Sequence, residues 1–426
     1  QEQLKVKKFL YRDRRGTWEN KKTISELSIT HGTVHLDRRN ALYLVEENIR
    51  DDVNFDLTLG CREYFEESDE ENSEGSDAAN EEDEEDFSCT FTDWACLQPQ
   101  KSLKEAFCGA EFVTYRCTIR DIAKTIITHR QFQPEHERKE IRCNNLEEVV
   151  VQSTYVNPSI KPWARVAIKA GDVIIIRDDS ASPFLDDSGS EEYDDVDVEE
   201  EEVEEEVEER ETTKEEQIVA RLKEMRRAEI RQQTYSGYKF QQYMTSEDPQ
   251  GKATPEKRLK IRVFETVMTG DLTAEGTEPI RLCCFAECDA LRGDEPIELN
   301  STFSDGFFNK IHTFLHCNFG NMNTVVTGMR NEDWITTRVF ERPVSQLMNE
   351  FTSFNFRDSR ADEQCFSFLH DVLSMTKQIL TRAKACRFVY MPKSGIIQFE
   401  PITMKEAMKR GIGLPAEFKD RFNISD

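Results

Sequence analysis

The sequence predicts an α+β fold: a single domain with a central mixed β-sheet flanked by helices. Short runs rich in Val, Ile, Thr and Phe recur along the chain and are typical of strands. Two segments, 121–129 and 215–233, space their apolar residues at the interval of one helix face. Two acidic runs interrupt this pattern, and no internal repeat is present. We therefore predict one α+β body that is interrupted by two acidic insertions.

The individual elements follow from local patterns. Strands are predicted at 32–36 and 41–45 from their β-rich apolar content. Residues 163–177 hold a Gly-Asp turn between two apolar halves, which predicts two strands joined by that turn. The elements predicted for the C-terminal third are strands at 261–268, 280–288, 325–329 and 336–340, helices at 305–319 and 363–384, and a closing hairpin at 387–391 and 395–399.

The acidic residues concentrate in two insertions. Residues 66–86 carry thirteen Asp and Glu without Lys or Arg, and residues 178–211 carry nineteen against one arginine. They contribute −13 and −18 to a formal net charge of −27, so the rest of the chain is mildly basic at +4. Such segments bury too little apolar surface to fold, and we predict disorder for both. They are interpreted as solvating spacers or, alternatively, as polyanions that shield the basic body or engage a basic partner.

The predicted domain therefore comprises 1–65, 87–177 and 215–426, with insertions at 66–86 and 178–214. Its basic balance keeps nucleic acid among the candidate partners. The twelve cysteines show neither a C-x-x-C pair nor zinc-site spacing, which indicates reduced thiols in the cytosol or nucleus. No apolar run approaches the roughly 20 residues that span a bilayer. The chain begins at Gln1, so we expect the natural N-terminus to lie upstream.

Three carboxylates are the strongest functional signal. Glu287 and Asp289 lie at alternate positions after an apolar run, and Glu298 follows nine residues later, so we expect a shared strand face and a hairpin. Carboxylates that converge in this way repel one another unless a divalent cation lies between them, and Mg²⁺ or Mn²⁺ suits such oxygen ligands. The alternative is that they are solvated residues on a half-exposed sheet face.

The same residues approach a nuclease signature. The pattern Asp-x8-Glu-x-Asn, from Asp289 to Asn300, differs by one residue from the Asp-xn-Glu-x-Lys signature of a large nuclease class. In that class the lysine steadies the attacked phosphate, and here Asn300 takes its place.

Other polar residues are candidates for the same site. Gln241 lies in the aromatic segment 235–243, which is interpreted mainly as core. Arg116 ends a strand ahead of a helix, where it would clamp a phosphate or form a surface ion pair. His312 and His316 are one helical turn apart but lack the accompanying glutamate of zinc proteases, so we predict no metal there.

A series of short motifs follows one order along the chain. These motifs are NALYL at 40–44, FDLTLG at 55–60, FVTYR at 112–116, GYKFQ at 237–241, ECD at 287–289, ELN at 298–300 and VVTGMRN at 325–331. Together they resemble the RAI1-like, or DXO-type, family of decapping nucleases. The resemblance covers most of the chain, and it rests on the order of the motifs because each is weak alone.

The resemblance implies a PD-(D/E)XK-nuclease-like core. It implies a Mg²⁺ or Mn²⁺ site at Glu287, Asp289 and Glu298, with Gln241 and Asn300 completing the catalytic set. It also implies that Arg116, Asn300 and His316 bind the phosphate or the RNA. The implied activity is removal of triphosphates, incomplete caps or nicotinamide caps from RNA 5′ ends, followed by 5′-to-3′ degradation. The implied partners are RNA 5′ ends and a 5′–3′ exonuclease or a chromatin or RNA-processing complex, in the nucleus or also the cytoplasm, without a membrane.

Several positions depart from the family pattern. Gln241 replaces the glutamate of the "GYKFE" motif, and Asn300 replaces the lysine of "ELK". A family glutamine that contacts the substrate falls at His316, and Cys117 replaces the glycine after the arginine. Losing one electrostatic donor at such a site typically costs roughly 10²–10³ in rate. These departures predict impaired turnover.

Three functional hypotheses remain open at this point. The first is a divergent family member that binds RNA 5′ ends with impaired catalysis, as in the degenerate members known in this family. The second is an active Mg²⁺-dependent decapping hydrolase that tolerates Gln241 and Asn300. The third is a non-catalytic nuclear scaffold that binds a partner complex.

Overall fold

The computed structural model describes residues 2–5, 14–62, 64–65, 90–131, 162–182, 214–245, 262–349, 360–392 and 394–424. Most of the predicted acidic insertions, 66–86 and 183–213, lies outside these residues. Among the described helices, none is both long enough and apolar enough to span a membrane.

The described strands form two sheets. The strands are β1 Glu2–Lys5, β2 Gly16–Thr30, β3 Thr33–His35, β4 Phe55–Asp56, β5 Phe112–Tyr115, β6 Trp163–Ala170, β7 Val173–Asp178, β8 Arg262–Ala274, β9 Ile280–Glu287, β10 Ala290–Arg292, β11 Glu295–Thr302, β12 Thr324–Arg330, β13 Ile335–Pro343, β14 Ala385–Met391 and β15 Ile396–Ile402. The large sheet has ten strands in the order β1-β15-β14-β6-β7-β5-β9-β8-β2-β3. The small sheet has five strands in the order β10-β11-β12-β13-β4.

Both sheets are mixed. In the large sheet, β5 runs parallel to β7 and to β9, while the other pairs are antiparallel. In the small sheet, β11 and β12 are parallel, and the remaining pairs are antiparallel. The predicted α+β fold with mixed sheet flanked by helices is confirmed, but the strands are divided between two sheets instead of one.

Helices cover both sheets. They are α1 Thr90–Cys96, α2 Leu103–Ala106, α3 Arg116–Gln131, α4 Lys214–Thr245, α5 Phe307–Phe319, α6 Val344–Asn349, α7 Ala361–Ile379, α8 Met404–Met408 and α9 Ala416–Phe422. Helices α3, α5 and α7 pack their apolar sides into one core on the large sheet. The opposite face of that sheet is covered by α1, α2, α8 and α9. The C-terminal part of α4 packs on the small sheet, where Phe240 lies against Gly328 so closely that a side chain at 328 would collide with the ring.

Two local predictions need correction. The run 41–45 is not a strand, because its β pairing is limited to one isolated bridge between Tyr43 and Leu291. Tyr43 is half exposed. The helix predicted at 215–233 continues to Thr245, because Tyr235, Phe240 and Tyr243 add buried residues to it.

The ordered body also extends into the segment assigned to the second acidic insertion. Asp178 ends β7, and Asp179 is fully buried. Its carboxylate accepts hydrogen bonds from Arg387 at 2.6 Å and Arg410 at 3.1 Å. The two guanidinium groups supply hydrogen-bond donors to this buried carboxyl group, and the pairing ties the end of β7 to the C-terminal region.

Candidate active site

The predicted acidic residues lie where the chain passes from one sheet to the other. Strand β9 of the large sheet ends at Glu287, and β10 of the small sheet begins at Ala290. Asp289 lies in the connection, so the expectation that it shares a strand face with Glu287 was wrong. The hairpin partner of β11 is β10 instead of β9, with Ala290 opposite Ile297. The change of sheet turns the chain, and it brings Asp289 beside the strand that carries Glu298.

Asp289 is held by the backbone and by an amide. Its Oδ2 accepts a hydrogen bond from the backbone N–H of Leu299 at 2.9 Å. Gln241 donates from Nε2 to the Asp289 carbonyl at 2.9 Å and to Oδ1 at 3.3 Å. Gln241 is itself buried, on the C-terminal part of α4. A glutamate at 241 would have no N–H to donate, so this contact depends on the amide.

Glu298 forms a buried ion pair with Arg116. The guanidinium donates from Nη1 to Oε2 at 3.1 Å, and the two side chains are only 6% and 11% exposed. Arg116 begins α3, directly after β5 has delivered the chain to this edge of the large sheet. Gly320 allows the approach, because a Cβ at that position would lie 2.9 Å from Nη1 of Arg116. Because the pair is buried, removal of either residue would leave the other charge in the interior without a counter-ion.

The electrostatics show that the carboxylates converge. Burial, with the nearby Asp289 and Glu287, raises the pKa of Glu298 to about 8, although Arg116 and Arg120 oppose the shift. Burial tends to lower the pKa of Arg116, but Glu298 and Asp289 outweigh it and the net shift is upward. The site therefore holds excess negative charge that Arg116 neutralises only in part.

His316 lies on the other side of Glu298. Its Nε2 is 3.4 Å from Oε1 of Glu298, and its Nδ1 contacts Nη1 of Arg120 at 2.9 Å. Burial and the neighbouring arginines hold the pKa of His316 well below its usual range, so the ring is neutral. Arg120 can only donate, so Nδ1 accepts and Nε2 carries the proton that faces Glu298.

Arg120 and Lys124 belong to the same site, although neither was predicted from the sequence. Lys124 contacts Nδ1 of His312 at 3.3 Å, as Arg120 contacts His316, and the two imidazoles lie nearly parallel, 6.0 Å apart. Asp121 neutralises part of this charge at 3.0 Å from Arg120 and 3.2 Å from Lys124. The spacing of Arg116, Arg120 and Lys124 at every fourth residue places all three on one helix face, and this was the signal that could have found them.

Asn300 lies on the same face of β11 as Glu298, two residues further along the strand. The residue beside it on β12 is Thr327, which is fully buried. The Thr327 hydroxyl has no hydrogen-bond partner within the part of the chain that the structure describes. Asn300 is half-buried and carries no charge. This part of the site therefore lacks the positive charge that a lysine at 300 would supply.

The carboxylates agree only in part with the divalent metal that the sequence predicts. Three carboxylates suit a hard cation by their chemistry. Across the described ranges, however, no group of three or more Asp, Glu, His and Cys side chains is arranged to hold a metal ion. The oxygens of Asp289 accept from Gln241 and Leu299, and those of Glu298 face Arg116 and His316. As arranged, these residues do not fit a metal ion shared by all three carboxylates.

A protein-family model covers just over half of this chain. A family model described as RAI1-like PD-(D/E)XK nuclease matches residues 198–419. No curated protein sequence matches the chain.

Solved structures of Rai1 proteins share the fold. Scheffersomyces stipitis Rai1 in complex with (3′-NADP)+ and calcium ion has a TM-score of 0.59 at 12% identity, covering 99% of this chain and 100% of its own. Candida albicans Rai1 in complex with pU5-Mn²⁺ has a TM-score of 0.59 at 13% identity, covering 99% of each chain. S. pombe Rai1 has a TM-score of 0.54 at 11% identity, covering 94% of this chain and 99% of its own. At these identities the likeness concerns the fold.

Proposed function

This chain belongs to the RAI1-like PD-(D/E)XK nuclease family, and from that premise we propose that it binds RNA 5′ ends with impaired catalysis. The proposal rests on one observation above all: at the position of a family glutamate, the amide of Gln241 donates to Asp289. A neutral donor stabilises Asp289 without a cation, whereas a carboxylate at 241 would need one.

Asn300 and Arg116 support the same conclusion. Asn300 cannot supply positive charge to a phosphate, and Arg116 neutralises Glu298 where a metal would otherwise do so. The loss of one preorganised electrostatic group typically costs roughly 10²–10³ in rate, although losses within one centre need not multiply. We therefore expect Mg²⁺ or Mn²⁺ to bind weakly, in competition with Arg116 for Glu298.

Two observations support a class of ligand: the positively charged side chains near Glu298 and the ligands present in the similar Rai1 structures. The guanidinium of Arg116 has five N–H donors in a planar fork, so it can contact Glu298 and a phosphate oxygen together. Arg120 and Lys124 add positive charge along the same helix face. The Candida albicans Rai1 structure contains pU5, and the Scheffersomyces stipitis one contains (3′-NADP)+. We infer that a 5′-phosphorylated RNA end is the ligand, in the nucleus.

The test compares binding with turnover. The full chain is incubated with Mg²⁺ or Mn²⁺ and RNA that carries a 5′ triphosphate, an unmethylated cap or a nicotinamide cap, and both complex formation and product release are measured. We expect saturable binding with little or no product. Efficient release that disappears in Glu287→Ala would overturn impaired catalysis and favour the active hydrolase. Absence of saturable binding to all three RNAs would overturn the proposed ligand.

A reciprocal variant identifies the cause of the impairment. Gln241→Glu combined with Asn300→Lys restores the family residues at both positions. We expect metal-dependent product release from this variant, abolished again by adding Glu287→Ala. A double variant that binds RNA as well as the wild type and remains inactive would show that the loss does not lie at these two residues.

A further inference from the structure

An arginine lies between two aromatic rings near the candidate active site. The guanidinium carbon of Arg330, at the end of β12, is 3.8 Å from the ring centroid of Trp334 and 5.0 Å from that of Phe303. Phe303 directly follows β11 and is 60% exposed, the most exposed large apolar side chain among the described residues. A ring that is exposed in this way and stacked on a cation offers a flat surface for another planar group.

The cluster of Phe303, Arg330 and Trp334 contains a polar atom whose hydrogen-bonding capacity is not satisfied. Nε of Arg330 is buried without a hydrogen-bond partner in the described part of the chain. A buried donor without a partner costs free energy, so it points to a partner that the protein alone does not supply.

The backbone at Trp334 is held in an unusual conformation. Trp334 has φ +63°, in the left-handed region that bulky residues rarely adopt. The side-chain oxygen of Asn331 accepts hydrogen bonds from the backbone N–H groups of Asp333 and Ile335, and these bonds keep the turn in place. Strain of this kind persists where the surrounding structure fixes a side chain in one position, here beneath the guanidinium of Arg330.

The cluster lies at the ends of β11 and β12, the neighbouring strands that carry Asn300 and Thr327. Across the small sheet, Asn300 pairs with Thr327, and Thr327 pairs with Phe340. Paired residues share a sheet face, so Phe340 belongs to the row of Asn300. Phe340 lies between Arg338 and Arg342, with guanidinium-to-ring distances of 4.8 and 5.5 Å. Phe303 follows Asn300 by three residues, or roughly 10 Å along the strand.

We propose that Phe303, Arg330 and Trp334 form a base-stacking subsite for single-stranded RNA whose 5′ end lies at Arg116 and Glu298. The subsite rests on the proposed function, which it extends from the 5′ phosphate to the following nucleotides. A base stacks on the exposed ring of Phe303, and Arg330 donates to a base edge or to the backbone phosphate. Proteins that bind single strands combine aromatic platforms with cationic grooves in this manner.

RNA fits this surface better than an acidic peptide does. The exposed feature is the flat ring of Phe303, and every base has a face that stacks on it whatever its sequence. Carboxylates already occupy the flanking arginines: Asp51 binds Arg338 at 2.6 Å and Asp305 binds Arg342 at 2.6 Å. An incoming carboxylate would compete with these pairs, whereas a stacking base leaves them intact.

The test measures binding of labelled oligouridine to the full chain by fluorescence anisotropy, with EDTA present to prevent cleavage. Three probes are used: 5′-monophosphorylated, 5′-hydroxyl and a 5′-phosphorylated chain whose bases are replaced by abasic sites. We expect Phe303→Ala to weaken binding of the base-bearing probes about tenfold, since stacking on one aromatic residue has that order of effect. The abasic probe should bind wild type and variant within about twofold, because it cannot stack.

Further variants separate stacking from folding. Phe303→Trp keeps a stacking ring and should bind at least as tightly as the wild type. Arg330→Lys keeps the charge but loses the planar group, and it should weaken binding by several-fold. Leu97→Ala removes another exposed apolar side chain, in the α1 region, and should bind like the wild type.

The outcomes are distinguishable. If the wild type prefers the phosphorylated probe and Phe303→Ala binds each probe as tightly as the wild type does, the subsite is wrong and the proposed function stands. If wild type shows no preference for the 5′ phosphate but Phe303→Ala loses affinity, the subsite stands and the 5′-end function fails. Wild-type protein that binds none of the probes would overturn both.

Discussion

The amide of Gln241 lies 2.9 Å from the backbone carbonyl of Asp289 and 3.3 Å from its carboxylate, and it donates to both. The two residues are 48 positions apart in sequence. One comes from the helix that packs on the small sheet and the other from the connection between the sheets. The contact lets an acidic residue stay at this corner without a cation, so the protein can be stable when no metal is bound there.

The first prediction concerns Gln241→Glu. Without metal, this change removes a donor to Asp289 and adds a like charge beside it, so the free energy of unfolding should fall by about 1–3 kcal/mol. Mn²⁺ should raise the melting temperature of the variant more than that of the wild type. Gln242→Glu is the matched control, because Lys239 donates to the side chain at 242 and would pair with the new charge. Equal stability of both variants without metal would contradict the prediction.

The second prediction concerns pH. The pKa of Glu298 is about 8 in the folded protein against 4.5 ordinarily, so the folded state holds a proton that the unfolded state has lost. Stability therefore falls as pH rises between about 5 and 8. In Glu298→Gln this contribution is absent. We expect the difference in unfolding free energy between wild type and variant, measured by urea titration at several pH values, to change across that window. Parallel curves would contradict the prediction.

The third prediction concerns the buried ion pair. Because the pKa of Glu298 is about 8, its carboxyl group is fully ionised only at higher pH, so Arg116→Ala should cost about 3–5 kcal/mol in unfolding free energy well above pH 8 and less near neutral pH. Adding Glu298→Gln should recover part of this loss, because a neutral side chain needs no counter-ion. Arg338→Ala, which breaks an exposed pair with Asp51, should cost about 0.5 kcal/mol or less. An Arg116→Ala protein as stable as Arg338→Ala would show that the pair is not formed.

The fourth prediction concerns where the second acidic insertion begins. Deleting 183–211 keeps Asp179 with Arg387 and Arg410, so the melting temperature should stay close to that of the wild type. Deleting 178–211 leaves both arginines without this carboxylate and should lower stability by about 3–5 kcal/mol. The first deletion, alone and combined with removal of 66–86, also tests the polyanion hypothesis. Unchanged capture of purified histones or other basic proteins would contradict a partner role for the insertions.

Local patterns anticipated most of the elements that position the site. The strand–turn–strand at 163–177 corresponds to β6 and β7, and the predicted helix at 305–319 corresponds to α5. Hydrophobic period and turn residues are local properties, so they specify such elements well. The strand predicted at 41–45 was wrong although the segment is rich in β-forming residues. It pairs through one isolated bridge only, and strand pairing depends on the rest of the fold.

For the candidate site, too, the sequence predicted some residues, and others became visible only in the folded structure. The sequence brought forward Glu287, Asp289, Glu298, Gln241, Asn300, Arg116 and His316, and the structure gathers several of them at one corner. Their assigned roles in catalysis and RNA binding stay predictions. Arg120 and Lys124 were missed, although their four-residue spacing from Arg116 was visible, because the histidines that they contact lie nearly 200 residues away.

The sequence by itself determined the chemistry available to this protein: an amide at 241, an amide at 300, and three carboxylates close together along the chain. Side-chain identity is fixed before folding, so these replacements predict impaired turnover without any structure. Only the tertiary structure decided what those groups contact. The chain changes sheets between Glu287 and Ala290, and this turn places Asp289 against Gln241, while Arg116 reaches Glu298 from 182 residues away. Such contacts depend on which strands pair and which helices cover them, and packing across the whole domain settles that choice.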